Sequence, residues 1–109
     1  MSDSPYASRP WLDSYADGVP AEIDAPTQTL PEMMSASVAA FGRRHALEFF
    51  GAVTTYRELS DQIARAAEGL RRLGVQKGDR VALVLPNCPQ HVVAFYAALR
   101  LGAIVVEHN

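Results

Sequence analysis

Cysteine is nearly absent from this sequence, and so are the signals that direct a chain into a secretory route or a membrane. Cys88 is the only cysteine, so no internal disulfide can form and nothing indicates an oxidising compartment. The N-terminus has neither a basic start nor an apolar run, which argues against a secretory signal. The longest apolar stretch, Val92–Val106, is interrupted by Arg100 and Gly102 and is too short to span a bilayer. These absences predict a reduced, soluble, cytoplasmic protein.

A strong excess of either charge is also missing. The 109 residues carry a formal net charge of −2, and 49% are hydrophobic against 20% charged, as in a globular protein with room for one small domain. The first 32 residues hold six acidic residues and one arginine, whereas the remainder holds nine basic and six acidic residues. Because the basic residues alternate with acids and no basic patch with interleaved aromatics occurs, nucleic acid is not expected as a partner.

Residues 1–28 form a proline-rich segment, which we call the arm. Proline lacks the backbone donor and forces its predecessor to be extended, so the arm is predicted to be irregular, neither a continuous helix nor an inner strand. The arm nevertheless carries more large apolar side chains than a solvated tail would, which predicts that it packs against another surface. These side chains belong to Trp11, Leu12, Tyr15, Val19 and Ile23.

A first helix is predicted to begin at Thr29, which has capping-box spacing with Glu32. Pro31 is tolerated in the first turn, where the amide groups lack helical partners. Gly42 is the expected stop, followed by two arginines. The predicted packing face consists of Leu30, Met33, Met34, Val38 and Phe41.

A second helix is predicted from Tyr56 to Leu73, with Thr55 and Glu58 as its capping box and Gly74 as its left-handed cap. Acid-before-base pairs at four-residue spacing indicate a solvated side. The pairs are Asp61 with Arg65 and Glu68 with Arg72. The predicted buried stripe consists of Tyr56, Leu59, Ile63, Ala66, Ala67, Leu70 and Leu73.

Strands are predicted in two places. The runs Ala46–Phe50 and Val53–Thr55 read as a hairpin, turned at Gly51-Ala52 with glycine first. The apolar runs Val81–Leu85 and Ile104–Val106 flank a third helix that Gly102 closes, so we expect a parallel pair with a right-handed crossover. A sheet of so few strands has bare edges and at least one uncovered face. The prediction is an incomplete α/β fold: arm, helix, hairpin, helix and a βαβ unit.

Three stretches of the sequence resemble the start of adenylate-forming, or AMP-binding, enzymes: Thr54–Leu59, Gly78–Asn87 and Ala97–Val106. Within the arm, Pro10–Tyr15 and Gly18–Ile23 are similar to the leader of bacterial long-chain fatty-acid–CoA ligases. The resemblance implies that residues 29–109 are the first, truncated part of the large N-terminal domain of such an enzyme, preceded by the arm.

The resemblance also implies a reaction and its cofactors. Such ligases convert a fatty acid and ATP into acyl-AMP with the help of Mg²⁺, and then transfer the acyl group to coenzyme A. The family's phosphate loop, nucleotide-binding segment and lid lysine lie downstream of the matched stretches. No catalytic, cofactor-binding or metal residue of the family is therefore expected here, and the 109 residues alone are expected to be inactive and to bind no cofactor. The turn Pro86–Pro89 contains no glycine that would let a phosphate approach the backbone.

Other side chains that can carry chemistry have simpler explanations. Cys88 precedes a helix, where a thiolate is favoured, but a small turn residue is the simpler reading. The three histidines share no ligand spacing; His91 is expected to be exposed, and His108 with Asn109 to be an ordinary strand-end pair. Met33 and Met34 are expected to be packing residues. The remaining candidates are Arg43, Arg44, Arg71 and Arg72, for which a solvated surface is preferred to peripheral membrane contact.

Two alternatives to a piece of a long-chain ligase stay open. One is a non-catalytic interaction or dimerisation module, in which the arm exchanges between two subunits or docks on a partner. The other is part of a sister enzyme that stops at acyl-AMP or uses another carboxylic acid.

Overall fold

The computed structural model describes residues 4–108, and its elements confirm the predicted α/β class. The element order is a short 3-10 helix Pro10–Ser14, α1 Leu30–Phe41, β1 His45–Phe49, β2 Ala52–Thr55, α2 Tyr56–Arg72, β3 Arg80–Val84, α3 Pro89–Arg100 and β4 Ile104–His108. Strands β1 and β2 pair antiparallel as a hairpin, whereas β3 and β4 form a separate parallel pair.

The arm is irregular apart from the short 3-10 helix. Arg9 adopts a left-handed backbone with φ 52°. Its guanidinium forms an ion pair with Glu22 and donates to the carbonyl oxygen of Ala21 at 2.6 Å, which folds the arm back on itself. Leu12 is half-buried, but the other large apolar side chains of the arm are exposed, from Trp11 at 41% to Ile23 at 90%. Packing of the arm against another surface therefore stays a prediction.

Helices α1 and α2 begin with the two predicted capping boxes. The amide and hydroxyl of Thr29 both donate to Oε2 of Glu32 at 2.8 Å, and the Glu32 amide donates back to Thr29 Oγ1 at 3.4 Å. Thr55 and Glu58 repeat this arrangement at 2.8, 2.8 and 3.3 Å. The backbone amide first, and then the hydroxyl, lowers the pKa of each glutamate, because both groups donate to its ionised form.

The glycine stops of α2 and α3 share one geometry. Gly74 has φ 96°, and the amide of Val75 reaches back to the carbonyl oxygen of Leu70 at 3.1 Å. The same reversal occurs after α3 at Gly102, where φ is 73°. A residue with a Cβ is strained in this conformation, so these two glycines are required by the backbone.

The hairpin turn lies one residue earlier than the predicted Gly51-Ala52. Phe49 pairs with Ala52, so the loop consists of Phe50 and Gly51, with φ of 49° and 80°. Positive φ angles at both loop residues are typical of the two-residue hairpin turns whose twist matches that of the flanking strands. Phenylalanine rarely adopts a positive φ. The Phe50 side chain is 95% exposed and meets the ring of Phe49 edge to face at 4.6 Å.

The core lies where α2 and α3 pack on each other and α3 packs on one face of the β3–β4 pair. The centre of the predicted α2 stripe is confirmed, but Leu73 is 83% exposed because the helix ends at the residue before it. No residue of α1 is buried, and Met33, expected to pack, is exposed. The buried side chains are Leu59, Ile63, Ala67, Leu83, Ala97, Ala98 and Ala103.

Strand β3 is covered on one face only, although its apolar run is typical of a strand with two covered faces. Leu83 is buried beneath the helices, whereas Val84, which points to the opposite face, is 69% exposed. The predicted uncovered face is thus confirmed. In the part of the chain that the structure describes, no helix combines the length and apolar character needed to cross a bilayer.

The loops that enter β3 and β4 are bonded to each other before the strands begin. The Gly78 amide donates to the Gly102 carbonyl oxygen at 2.9 Å, and the Ile104 amide donates to the Asp79 carbonyl oxygen at 2.7 Å. The stem of Lys77 lies over Gly102, where an added Cβ would come within 3.0 Å of its Cγ. These bonds place Arg80 opposite Ile104, which is the first residue pair of the two parallel strands.

Candidate functional site

The carboxyl ends of β3 and β4 are where an open α/β sheet places its ligands. A cleft of about 220 Å³ lies there, between the hairpin and the start of α3. We call it the strand-end cleft. Its lining consists of Leu47, Glu48 and Phe49 from the hairpin, and Asn87, Cys88, Pro89, His91 and Val92 from the β3–α3 turn and the first turn of α3.

A histidine–carboxylate pair borders this cleft. The His91 Nε2 lies 2.8 Å from Oε2 of Glu107, and the His91 side chain is only 23% exposed. The parallel register sets Glu107 opposite Leu83, so the carboxylate is on the helix-covered face, within reach of the first turn of α3. The expectation that His91 is simply exposed is therefore wrong. The strand register was the missing information, because periodicity alone does not show which residues of two strands face each other.

Cys88 is the N-cap residue of α3 and is half-buried in the cleft wall. Its backbone is extended, with φ −147°, and its side chain makes no capping hydrogen bond to the helix amides. The position fits the simpler reading of a small turn residue. Pro89 follows as the first residue of the helix, which removes one more amide from the helix N-terminus.

The other histidines lie away from this pair. His45 begins β1 and is exposed, whereas His108 ends β4 opposite Val84, on the face away from α3. Asn109, expected to pair with His108 at the strand end, lies outside the described residues. Within residues 4–108, no three His, Cys, Asp or Glu side chains come together in a way that could hold a metal ion.

The strand-end cleft does not by itself fit a nucleotide. Its volume of about 220 Å³ is below the roughly 300–1,000 Å³ of ligand pockets, and no glycine in its turn brings backbone amides to a phosphate. The imidazole nitrogen nearest Glu107 is already engaged by that carboxylate. The arrangement can fasten the start of α3 to the end of β4.

The four arginines considered for membrane contact fall into two separate sites. Arg71 and Arg72 both bind Glu68, at 2.7 and 2.8 Å, and these hydrogen bonds lower the pKa of Glu68 to about 2. Arg43 and Arg44 lie at the far end of α1, beside the first turn of α2. At 1.5 Å per residue, the two sites are roughly 20 Å apart along α2. They do not form one continuous basic surface.

Comparison with known proteins gives the family of the chain. The model of the family described as "AMP-binding enzyme" matches residues 34–109. The long-chain-fatty-acid–CoA ligase of Bacillus subtilis is 39% identical over 103 residues, which is 94% of this chain and 18% of that protein. The enzyme of the same name from Escherichia coli O6:H1 is 42% identical over 101 residues, or 91% of this chain and 18% of that protein. The chain thus spans about a fifth of these relatives.

Solved structures agree with the sequence comparison. The N-terminal subdomain of NpsA from Klebsiella oxytoca, in complex with 3-hydroxybenzoyl-AMSN, superposes with a TM-score of 0.74 at 30% identity. That match covers 75% of this chain and 21% of the other. The resemblance to the N-terminal region of long-chain fatty-acid–CoA ligases and other adenylate-forming enzymes is confirmed, and so is the α/β fold. With more than half of its length matched by the family model, the chain belongs to the AMP-binding enzyme family.

Proposed function

We propose that this chain is the N-terminal framework of a cytoplasmic long-chain fatty-acid–CoA ligase. The whole enzyme would activate a fatty acid with ATP and Mg²⁺ to acyl-AMP and pyrophosphate, and then pass the acyl group to coenzyme A. The observation that carries the proposal is the similarity to two bacterial ligases of that name, which extends over more than nine-tenths of the chain. It includes the arm, which precedes the part that the family model matches.

The proposed role of these residues is structural. Residues 29–109 would be the first part of the large N-terminal domain, and residues 1–28 a separate arm. Leu59, Ile63 and the alanines of α3 are buried where α2 packs on α3, and α3 covers one face of the parallel pair, while Val84 leaves the other face open. The catalytic steps would be carried out by the remainder of the enzyme.

A chimera tests this framework role. Residues 30–108 would replace the corresponding segment of the Bacillus subtilis ligase, which is 39% identical over the matched length. We expect the chimera to keep fatty-acid-dependent ATP–pyrophosphate exchange and an unchanged preference for acyl chain length. The 109-residue chain alone is expected to show no exchange. Exchange by the isolated chain, or a soluble chimera that has lost activity, would contradict the proposal.

The control for the chimera is a core substitution. Leu59, in the first turn of α2, is 1% exposed, and Leu59→Asp places a charge there without a partner. This variant is expected to abolish both the soluble yield and the activity of the chimera. Gln62→Asp, on the exposed side of the same helix, is expected to leave both unchanged.

A sister activity is tested by the products of the whole enzyme. Formation of acyl-AMP without thioester, in the presence of coenzyme A, would replace the ligase assignment with an acyl-AMP ligase. A preference for short or aromatic acids would change the substrate class and leave the framework role intact.

A non-catalytic interaction module is the second candidate, and the exposed arm favours it. Trp11, Tyr15 and Ile23 are all at least two-fifths exposed, although they are large and apolar. If the arm exchanges between subunits, the isolated chain sediments as a dimer, and deletion of residues 1–28 converts it to a monomer. A monomer at all concentrations would exclude this candidate.

A further inference from the structure

Three arginines surround the junction between α1 and α2. A cleft of about 350 Å³ opens there, and we call it the arginine cleft. It is lined by the last turn of α1 and the residues after it, Val38 to Arg44, and by Arg57 from the first turn of α2. Arg43, Arg44 and Arg57 therefore bring three positive charges to one concave surface.

None of these three guanidinium groups has an anionic partner within residues 4–108. Arg71 and Arg72, by contrast, share the carboxylate of Glu68. The acidic residue next to Arg57 in sequence is Glu58, whose Oε2 is already bound by the amide and hydroxyl of Thr55. The described part of the chain thus supplies no ion-pair partner to these three guanidinium groups.

The backbone that carries these arginines is fixed at several points. The Tyr56 amide donates to the carbonyl oxygen of Arg44 at 3.1 Å, and the Arg57 amide donates to that of Gly42 at 3.0 Å. The Arg44 guanidinium also lies over the ring of Phe41, 5.2 Å from its centre. The cleft is consequently built on two helix ends that are bonded together, and not on a free loop.

Gly42 lies at the end of α1, beside the Arg57 side chain. Its φ of −47° is helical, so the backbone does not require glycine there. An added Cβ would come within 3.0 Å of the Val38 carbonyl oxygen and 3.8 Å of the Arg57 Nε and a terminal nitrogen of its guanidinium. The close approach at Gly42 is thus to the Val38 carbonyl oxygen, and the Arg57 guanidinium lies at ordinary contact distance beside it.

The carbonyl end of α1 explains only part of this arrangement. A helix C-terminus carries roughly half a negative charge and attracts one cation. Three arginines exceed that charge, and within the described residues none of them donates a side-chain hydrogen bond to the helix carbonyl groups. The excess positive charge is available to a ligand.

We propose that the arginine cleft is a binding site for a phosphate-bearing anion, held by Arg43, Arg44 and Arg57. A phosphate monoester carries between one and two negative charges at neutral pH, and the planar guanidinium matches two of its oxygens at once. The source is either a soluble phosphate or the headgroup of a phospholipid, which share this chemistry. The site is independent of the framework role and would stand if that role were disproved.

Amide NMR of the 109-residue chain, titrated with inorganic phosphate at constant ionic strength, tests the site. We expect saturable shifts at residues 42–44 and 57, with a dissociation constant in the millimolar range, because exposed ion pairs are individually weak. Chloride at the same ionic strength is the control. Equal shifts with chloride, or shifts spread over the whole surface, would overturn the proposal.

Variants assign the shifts to the cleft. Arg57→Gln is expected to weaken phosphate binding about three- to fivefold, the upper range for one exposed charge pair. The triple variant, in which Arg43, Arg44 and Arg57 are all replaced by Gln, is expected to lose phosphate binding. Arg72→Gln is the matched control, since its partner is Glu68, and it is expected to leave binding unchanged. Arg57→Lys keeps the positive charge and is compared with Arg57→Gln. If the lysine variant binds phosphate and the glutamine variant does not, the loss comes from the missing charge and not from unfolding. Phosphate binding that survives the triple variant would refute the site.

A vesicle assay separates the two sources. The chain is mixed with pure phosphatidylcholine vesicles and with vesicles that also contain phosphatidic acid, and then sedimented. Binding that needs both phosphatidic acid and the three arginines supports the site with a lipid headgroup as its ligand. Binding to inorganic phosphate alone supports it with a soluble ligand. Binding to neither probe overturns the proposal.

Discussion

Helices α1 and α2 start in the same way and end up in different surroundings. Both are opened by a threonine–glutamate capping box whose hydrogen bonds agree to within 0.1 Å. Yet α2 buries Leu59, Ile63 and Ala67, whereas α1 buries no residue. Local sequence signals therefore decide where a helix begins, and tertiary packing decides how much of the fold depends on it.

The largest expected difference between the two helices comes from truncating an apolar side chain on each. Leu59→Ala, at a position 1% exposed, should lower the free energy of unfolding by about 2–5 kcal/mol, since it leaves a cavity in the core. Met33→Ala, on the exposed side of α1, is the matched control and should cost less than about 0.5 kcal/mol. Urea denaturation of both variants measures the contrast. Similar losses would show that α1 is covered by a surface outside residues 4–108.

The capping threonines should give a smaller difference. Thr55→Ala removes the hydroxyl that serves Glu58 and should lower the global free energy of unfolding by about 1 kcal/mol. Thr29→Ala removes the same bonds from α1, but the loss should appear as faster hydrogen exchange within α1 and not in the global transition. Equal global effects would mean that the two helices unfold as one unit.

Glycines near the ends of the two helices should respond with opposite sign. Gly69 lies within α2 with no atom within 4 Å of an added Cβ, so Gly69→Ala should stabilise the fold by about 0.5–1 kcal/mol. Gly42→Ala, by contrast, brings a Cβ within 3.0 Å of the Val38 carbonyl oxygen and should destabilise the α1–α2 junction. Thermal melts of the two alanine variants compare them directly. A stabilising Gly42→Ala would remove the close-approach argument for that glycine.

The smallest effect concerns the charge pairs of α2. Hydrogen bonds from Arg71, then from Arg72, lower the pKa of Glu68 from 4.5 to about 2. A carboxyl whose pKa is lower in the folded state stabilises the fold above pH 4.5, and this contribution is lost as the pH falls towards 2. The melting temperatures of the wild type and Glu68→Gln should therefore differ slightly at neutral pH and converge across this window. A difference that persists at pH 2 would rule out the carboxylate as its cause.

Much of the fold could be predicted because its signals are local. The capping residues, the helix-ending glycines and the apolar runs of β3 and β4 each act within a few residues, and the structure confirms them. The Phe50-Gly51 turn was misplaced because phenylalanine is rare at positive φ, so the pairing of Phe49 with Ala52 was not expected. Leu73 and Met33 fit the apolar period but lie outside the covered surface.

The site was less predictable, because it depends on residues brought together over long separations. The pair formed by His91 and Glu107 needs the register of β3 and β4, which no local pattern supplies. The arginine cleft similarly needs the bond from the Arg57 amide to the Gly42 carbonyl oxygen. Resemblance to a family assigned the chain as a whole but placed no functional residue, and the expectation that the family's catalytic residues lie outside it stays a prediction.

The bonds between the loops before β3 and β4 have a consequence for how the sheet assembles. Parallel strands must find each other across an intervening helix, and a slip by one residue would turn every side chain to the wrong face. Here the Gly78–Gly102 and Asp79–Ile104 hydrogen bonds join the two loops directly before the first residue pair of the strands, and so fix the alignment of β3 with β4. Once these two bonds have formed, the strands can pair in only one register. A side chain at position 102 would collide with Lys77 and disturb these bonds.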